Sequence, residues 1–273
     1  MPNEVFTQTV IQNVNNISVT VADTKTPIVI LFGPPASGKT MVLLRMIRHL
    51  EQNNYMVDPD RIFRPTTDKT YQEICTGLSD MAHSQYAPDP TGDVCFMLAK
   101  ILDMDGNPKF QFLEAPGEHY YSGHASHQFP LYLQQIFGNG AKKIWVFLLE
   151  PEWGEDQNER DKYARQIRSA KQYMGPRDSA LFLLNKADKY QKWFGSNGRP
   201  NKRLFRNAVD STYPNLINFF TKKGPIFDDE PPVVCFSTGS FVPVNDGDGN
   251  VNWVVRDTDK FYCEEFFNVL KKL

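Results

Sequence analysis

The apolar residues of this chain fall into short, nearly continuous runs that are separated by polar stretches. Short runs of this kind are typical of strands that are covered on both faces of a parallel sheet. The clearest runs lie at residues 26–32, 142–150, 179–185 and 231–237. A further pair, at 93–103 and 109–115, flanks the turn signal MDGNP and predicts a β-hairpin. The pattern therefore predicts six strands.

The stretches between most of these strands carry a helical pattern, in which apolar residues recur every three or four positions. The predicted helices cover residues 41–54, 159–174, 201–223 and 260–273. Strands that alternate with helices form a mostly parallel sheet with helices on both faces. We therefore expect an α/β fold built on a mixed, mostly parallel sheet of six strands.

The N-terminal stretch has a different pattern from the rest of the chain. Residues 1–22 alternate polar and β-branched side chains, which predicts an extra strand or hairpin ahead of the main domain. We therefore divide the chain into an N-terminal extension at residues 1–26 and a single main domain at residues 27–273. Residues 55–92 are polar and proline-bearing, and their pattern predicts no particular element.

Composition and charge narrow the range of partners. The chain has 273 residues and a net charge of −2, with a pI of about 6.2. This balance gives no electrostatic case for binding nucleic acid or a membrane surface. No apolar run approaches the roughly 20 residues that cross a bilayer, and the N-terminus lacks the pattern of a secretory signal. With four scattered cysteines that fit reduced, buried thiols, we expect a cytoplasmic protein.

Candidate chemistry begins at the end of the first predicted strand, in the stretch LFGPPASGKT. It matches G-x-x-x-x-G-K-[ST], a loop whose backbone N–H groups cradle phosphates between a strand and a helix. The loop residues expected to bind a nucleotide are Gly33, Ala36, Ser37, Gly38, Lys39 and Thr40. Lys39 would neutralise the β- and γ-phosphates, and the Thr40 hydroxyl would bind Mg²⁺. A glycine-rich turn with a solvated lysine is the alternative, and it fits this strand–helix context poorly.

The nucleobase is indicated by a second motif, Asn185-Lys186-Ala187-Asp188, at the end of an apolar strand. The Asp188 carboxylate would accept hydrogen bonds from N1–H and the exocyclic amine of guanine, and adenine lacks both donors there. Lys186 would lie along the base, and Asn185 would tie this loop to the phosphate loop. With these motifs in this order, the chain resembles the Ras-like (TRAFAC-type) superfamily of P-loop GTPases, whose N-K-x-D motif follows the fifth strand.

Two further stretches extend the resemblance, each with one departure from it. Ser237 and Thr238 in FSTGS resemble the S-A-x element that contacts guanine from the other side, with Thr238 in place of the usual alanine. In FLEAPGEHYY, Gly117 matches the D-x-x-G glycine that senses the γ-phosphate. Glu114 stands where that motif has the aspartate that holds Mg²⁺ through water, and it has the same charge with one more methylene.

The residues that would position the attacking water depart further from the superfamily. Its glutamine after the switch glycine is replaced here by Glu118, followed by His119, whose neutral imidazole can accept a hydrogen bond from water. Arg64 and Thr67 stand at an R-x-x-T spacing similar to that of heterotrimeric G-protein α subunits. There the arginine stabilises transition-state charge and the threonine completes the magnesium shell. An ordinary surface loop is the alternative for this pair.

Two functions of different class follow from these expectations. The resemblance implies a Ras-like G domain with Mg²⁺ as cofactor and GTP or GDP as ligand, acting as a slow GTPase switch that signals to a protein partner. The residues expected to carry catalysis are Lys39, Glu118, His119 and Arg64. Because Glu114 and Glu118 depart from the usual pattern, the alternative is a GTP-binding regulatory or structural module with negligible hydrolysis. An ATPase or kinase is disfavoured by Asp188.

Overall fold

The structure is a computed structural model. It describes residues 17–86, 96–121, 128–150, 157–195, 199–225, 228–245, 251–256 and 259–273. Residues 1–16 of the predicted N-terminal extension lie outside the described residues. Among the helices in these ranges, none is both long and apolar enough to cross a membrane.

The described strands form one large sheet of seven strands in the order β2-β3-β4-β1-β5-β6-β7. Their bounds are β1 Ile28–Phe32, β2 Met56–Pro59, β3 Met97–Leu102, β4 Pro108–Glu114, β5 Lys143–Leu149, β6 Ser179–Leu184 and β7 Val233–Cys235. β1 pairs in parallel with both β4 and β5, and β6 joins β5 and β7 in parallel. β3 is antiparallel to β2 and to β4. The predicted class, an α/β fold with a mixed and mostly parallel sheet, is confirmed.

The helices occupy the chain between the strands. Their bounds are α1 Lys39–Gln52, α2 Lys69–His83, α3 Gly117–Tyr120, α4 Leu131–Gly138, α5 Gln157–Ala170, α6 Lys202–Thr212, α7 Leu216–Phe220 and α8 Phe261–Leu270. Short 3-10 turns lie at Lys171–Tyr173, Ala187–Lys189 and Gln191–Trp193. The helix predicted at 201–223 is divided into α6 and α7, because Pro214 interrupts it and Asn215 takes a left-handed conformation with φ of 61°.

The six predicted strands are all present, and the seventh, β2, is a difference from the prediction. Its sequence, MVDP, is half polar, and its residues alternate between exposed and half-buried positions at the edge of the sheet. An edge strand of this kind lacks the continuous apolar run that marks a central strand. Its proline is tolerated because edge strands do not need every backbone donor.

β1 is the centre of the core and fixes the start of the phosphate loop. All five of its residues are buried. The ring of Phe32, its last residue, lies 4.7 Å from the ring of Tyr120 and 5.3 Å from that of Phe147. Each buried aromatic ring contributes about 1.5–3 kcal/mol through removal of its apolar surface from water. The loop that begins at Gly33 therefore starts from a rigid position.

A second, two-stranded sheet follows the last strand of the large one. It consists of β8 Ser240–Asn245 and β9 Val251–Arg256, paired antiparallel. The stretch DGDGNVNWVVRD at 246–257 predicts a hairpin turn, and its residues 246–250 and 257 lie outside the described ones. β9 is also attached to the end of α2, since the Val255 N–H donates to the Gln85 carbonyl at 2.7 Å.

The described part of the N-terminal extension lies against the main domain as an extended segment. Ile17, Val19 and Val21 pack against the core, while the residues between them are exposed. The Thr20 N–H donates to the carbonyl oxygen of Phe63 at 2.8 Å. Burial alternates along residues 17–21, but residues 17–22 belong to no strand, so the described part of the extension does not contain the predicted strand or hairpin.

Candidate nucleotide-binding site

The candidate residues meet at one edge of the sheet because the strands that carry them are parallel. The phosphate loop follows β1, Glu114 ends β4, the N-K-A-D motif follows β6 and the S-T-G stretch follows β7. In open α/β sheets, ligands bind outside the carboxyl ends of the strands, where neighbouring connections diverge. β1 lies between β4 and β5 and is that point of divergence.

The phosphate loop has a backbone conformation that requires glycine at one position. Gly38, directly before α1, has a φ of 85°, at which a side chain is strained. Ala36 also has a positive φ, of 60°. A methyl group on Gly33 would lie 2.5 Å from Ser37 Oγ and 3.2 Å from Leu148 Cβ, so side chains pack closely around the start of the loop.

Lys39 directs its ammonium group into this loop. Its Nζ donates to the carbonyl oxygens of Gly33 and Pro34, at 3.0 Å each, and the side chain is buried. Lys39 is also the first residue of α1, whose N-cap Gly38 provides no side-chain cap. The N–H groups of the first turn and the positive end of the helix dipole therefore favour an anion at the same place as the ammonium.

A hydroxyl and a carboxyl group lie together next to the loop. Thr40 Oγ1 donates to Glu114 Oε1 at 2.8 Å. Glu114 is buried, and within the described chain its second oxygen, Oε2, has no hydrogen-bond partner. Burial raises the pKa of Glu114 to about 7, against the opposing effects of the Lys39 ammonium and the Thr40 hydrogen bond.

These two side chains fit a magnesium ion. Mg²⁺ binds oxygen ligands, and usually takes one or two protein groups together with phosphates and water. The orphaned Glu114 Oε2 is a buried oxygen that a cation would satisfy. In the part of the chain that the structure describes, no group of three His, Cys, Asp or Glu side chains forms a metal cage. A magnesium ion held by one hydroxyl and one carboxylate would need further oxygen ligands, such as phosphate or water.

The segment after β4 packs directly on the phosphate loop. A methyl group on Gly117 would lie closer than 3.0 Å to backbone atoms of Pro34 and Pro35, so Gly117 is a close-approach glycine. Glu118 is exposed. His119 is buried and its Nδ1 is hydrogen-bonded to the Tyr132 hydroxyl of α4.

Arg64 and Thr67 lie in the connection between β2 and α2. Arg64 forms an ion pair with Asp68, and its guanidinium stands 5.4 Å from the Tyr71 ring centroid and 5.3 Å from that of Phe96. Asp68 is the N-cap of α2 and accepts from the Tyr71 N–H at 3.0 Å. Thr67 is exposed directly before this cap. The described contacts of Arg64 are thus with residues 68 and 71 of its own segment and with Phe96, which directly precedes β3.

On the other side of the loop, the N-K-A-D motif is attached to the phosphate loop by two side chains. Asn185 is buried and its Nδ2 donates to the Ser37 carbonyl oxygen at 2.8 Å. Lys186 Nζ donates to the Ala36 carbonyl at 3.3 Å and forms an ion pair of 2.6 Å with Glu150. Both contacts hold the two loops in one fixed arrangement.

Asp188 is held by the stretch that follows β7. Its Oδ1 accepts a hydrogen bond of 2.5 Å from Ser237 Oγ, and Ser237 is fully buried. Thr238 is also buried, and it lines a cavity of about 20 Å³ together with Met41 of α1 and Val255 of β9.

The structure adds site residues that the sequence patterns did not indicate. These are Pro34, Pro35, Tyr132 and Glu150. Glu150 follows β5 at the same sheet edge as the motifs, and that position could have indicated it. Tyr132 lies outside any motif, because its contact with His119 depends on how α4 packs.

Comparison with known proteins identifies no family for this chain. No protein-family profile matches the chain, and no curated protein matches it. One solved structure with a similar fold is that of a Plasmodium falciparum protein described as nucleolar GTP-binding protein 1. It is 13% identical over 81% of this chain and 81% of that chain, with a TM-score of 0.38. A TM-score of this size supports no inference about what this chain binds.

Proposed function

We propose that residues 27–273 form a Ras-like G domain that binds GTP and GDP with Mg²⁺ and hydrolyses GTP slowly. The observation that supports this most strongly is the pair of hydrogen bonds at the base side of the site. Asn185 attaches the N-K-A-D motif to the phosphate loop, and Ser237 holds the Asp188 carboxylate. A carboxylate fixed beside a phosphate-binding loop suits guanine, which offers two N–H donors on one edge.

The phosphate side of the proposal depends on Lys39, Thr40 and Glu114. Lys39 would bind the β- and γ-phosphates, since its ammonium already lies among the carbonyls of the loop. Thr40 and Glu114 would hold Mg²⁺, which when bound neutralises charge on the phosphates. Because Gly117 packs on the phosphate loop, a ligand that shifts the loop would also shift the segment 114–121. That segment and residues 60–70 are the surfaces we propose for a protein effector.

The alternative, a GTP-binding module with negligible hydrolysis, is favoured by a specific observation. The three residues expected to act on the attacking water or the transition state are engaged elsewhere or exposed. His119 bonds to Tyr132, Arg64 pairs with Asp68, and Glu118 points to solvent. Hydrolysis by this site therefore requires a rearrangement of these side chains or a group supplied by a partner.

Nucleotide competition tests the binding proposal. Purified protein is titrated with fluorescent GDP in the presence of magnesium, and bound probe is competed with GTP, GDP and ATP. We expect GTP and GDP to displace the probe and ATP to fail over the same concentration range. Equal competition by ATP would show that N-K-A-D is not the base pocket, and an ATPase or kinase would become the better hypothesis.

Single-turnover hydrolysis separates the switch from the binding module. Protein in excess over GTP is followed with magnesium, and again with the metal chelated. A slow conversion to GDP that requires magnesium supports the GTPase. Bound GTP that stays intact over hours, with competition by guanine nucleotides unchanged, supports the binding module instead.

A further inference from the structure

The stretch that follows β7 is constrained at a single residue, Gly239. Its φ is 106°, a region that residues with a side chain rarely adopt. A methyl group at this position would lie closer than 3.0 Å to the carbonyl oxygen of Arg256, at the end of β9. That atom belongs to the backbone and cannot move without moving the strand. Gly239 thus lies directly against the β8–β9 hairpin.

Two hydrogen bonds connect Gly239 to the candidate base-binding carboxylate. The Gly239 N–H donates to Ser237 Oγ at 3.3 Å, and Ser237 Oγ donates to Asp188 Oδ1 at 2.5 Å. The first bond occupies a lone pair of the hydroxyl, so that its hydrogen is directed at Asp188. Because Ser237 is fully buried, its hydroxyl has no water with which to exchange this arrangement.

The hairpin is itself fixed to the elements that carry the phosphate loop. The Val255 N–H donates to Gln85 at the end of α2, and Tyr86 forms an isolated bridge with Val254. The Val255 side chain faces the cavity that Thr238 and Met41 of α1 also line. β9 therefore lies between α1, the end of α2 and the base loop, and its position is set by all three.

We propose that the β8–β9 hairpin is a positioning element for the base pocket: it holds Gly239, and through Ser237 it orients Asp188 for guanine. The proposal rests on the guanine-binding function proposed above. It assigns Gly239 and Val255 as residues that determine base specificity without touching the nucleotide. Displacing the base loop from the hairpin would weaken the guanine contacts and leave the phosphate contacts in place.

The test compares two glycines that share a positive φ. Gly239→Ala introduces both backbone strain and the collision with Arg256, whereas Gly106→Ala introduces the strain alone, since φ is 79° there and nothing lies within 4 Å. Affinities for GDP, IDP and ADP are measured with magnesium. We expect Gly239→Ala to lower the GDP-to-ADP affinity ratio about tenfold, because a mispositioned carboxylate loses hydrogen bonds that only guanine offers. The ADP affinity and every ratio of Gly106→Ala stay unchanged.

A second pair of variants covers the case in which Gly239→Ala does not fold. Val255→Ala removes the side chain whose Cγ1 lies 3.5 Å from a Cβ built on Gly239, and Val244→Ala removes an exposed side chain of β8 as the matched control. We expect Val255→Ala to lower the GDP-to-ADP ratio about threefold, as a packing change next to the pocket does. IDP keeps N1–H and lacks the exocyclic amine, so its affinity should fall less than that of GDP in both Gly239→Ala and Val255→Ala.

The outcomes distinguish failure of the positioning role from failure of the guanine-binding function on which it rests. If the unchanged protein binds GDP and ADP equally, the guanine-binding function fails, and the positioning role fails with it. If it prefers GDP and the variants at Gly239 and Val255 keep that preference, the positioning role alone is overturned. An equal loss of GDP and ADP affinity in folded Gly239→Ala protein would also overturn it, because the hairpin would then support the whole site.

Discussion

The two sides of the candidate site are built in different ways. On the base side, Asn185, Lys186 and Ser237 make hydrogen bonds that join three separate loops to one another. On the γ-phosphate side, Arg64 pairs within its own segment and His119 bonds to a helix that carries no motif. The base side is a connected network, and the other side is a set of residues with local partners.

This difference reflects where each set of residues lies along the chain. The base-side residues directly follow β6 and β7, whose register in the parallel sheet fixes where they end. Arg64 lies on a connection of the edge strand β2, and His119 on a four-residue helix. Residues that directly follow a paired strand have little freedom, whereas longer connections have several arrangements of similar energy. The γ-phosphate side is therefore the part able to respond to a ligand.

The largest loss of nucleotide affinity is expected at Lys39, in the phosphate loop between the two sides. Lys39→Ala removes the ammonium that donates to Gly33 and Pro34. We expect affinity for GDP and for GTP to fall by about 100-fold or more, because a buried charge-assisted contact to phosphate is lost. Equilibrium titration with fluorescent GDP measures this loss. The control is Lys189→Ala, an exposed lysine beside the base loop, and a similar loss in both variants would contradict the role of Lys39.

Asp188→Asn breaks the base side alone. The amide keeps the size of the side chain and a hydrogen-bond acceptor for Ser237, but it presents a donor where guanine also presents donors. We expect GDP affinity to fall about 10–100-fold while xanthosine diphosphate, whose base offers an acceptor there, binds better than it does to the unchanged protein. Competition against fluorescent GDP and XDP measures both changes. Unaltered GDP affinity would mean that Asp188 does not bind the base.

Much of the base side could be predicted from the sequence, and little of the other side could. A motif at the end of a buried strand specifies its place in space, because the strand pattern sets the sheet and the sheet sets the edge. The sequence predicts Gly38, Asn185 and Asp188 at this edge. The structure places Asn185 against the phosphate loop and Asp188 beside Ser237, and their roles toward a nucleotide stay predictions. The hairpin contact at Gly239 was missed because it depends on how β8–β9 packs behind the loop.

Helix α2 was not predicted, although its sequence carries the signals of a helix. Asp68 caps the helix, and Tyr71, Cys75, Leu78 and Ala82 are buried at helical spacing. The polar residues between them obscured the pattern. The partners of Arg64 and His119, by contrast, have no sequence signal, since Phe96 and Tyr132 are brought to them only by tertiary packing.

Tyr132→Phe tests whether the local partners of the γ-phosphate side restrain it. The change removes the hydrogen bond to His119 Nδ1 and keeps the ring that packs 4.3 Å from Phe96. We expect a loss of about 1 kcal/mol in the free energy of unfolding, typical of one buried hydrogen bond. If His119 positions water, its release raises the single-turnover rate about threefold, with GDP affinity unchanged.

The control for this variant removes a different buried hydroxyl. Tyr71 donates to the Asp60 carbonyl at 2.7 Å, and Tyr71→Phe should cost a similar free energy of unfolding. Urea denaturation and single-turnover hydrolysis are measured on both. A rate change in Tyr132→Phe that survives in the Tyr132→Phe, His119→Ala double variant would exclude His119 as its cause. Equal rates in all variants would assign the Tyr132 contact to stability alone.

The smallest effect on the site is expected at His49, whose titration changes stability and serves as a control for the pH dependence of both sides. It lies in the last turn of α1, the helix whose first turn holds Lys39 and Thr40. Burial lowers the pKa of His49 and Glu264 opposes this, while Arg45 and Lys260 lower it further. The unfolded chain therefore binds more protons than the folded one below the ordinary histidine pKa, and stability falls as the pH is lowered through that range.

His49→Gln should remove this acid sensitivity without favouring either side of the site. Urea denaturation at several pH values between about 5 and 8, where histidine titrates, measures the slope. We expect the variant to gain stability relative to the unchanged protein as the pH falls, because the raised pKa of Glu114 acts in both proteins and cancels in this difference. Because His49 lies at the opposite end of α1 from Lys39 and Thr40, we expect His49→Gln to leave both GDP affinity and the single-turnover rate unchanged at each pH. A pH dependence of the hydrolysis rate that persists in His49→Gln then comes from the γ-phosphate side. A pH dependence of base selectivity alone would contradict the description of the base side as a connected network.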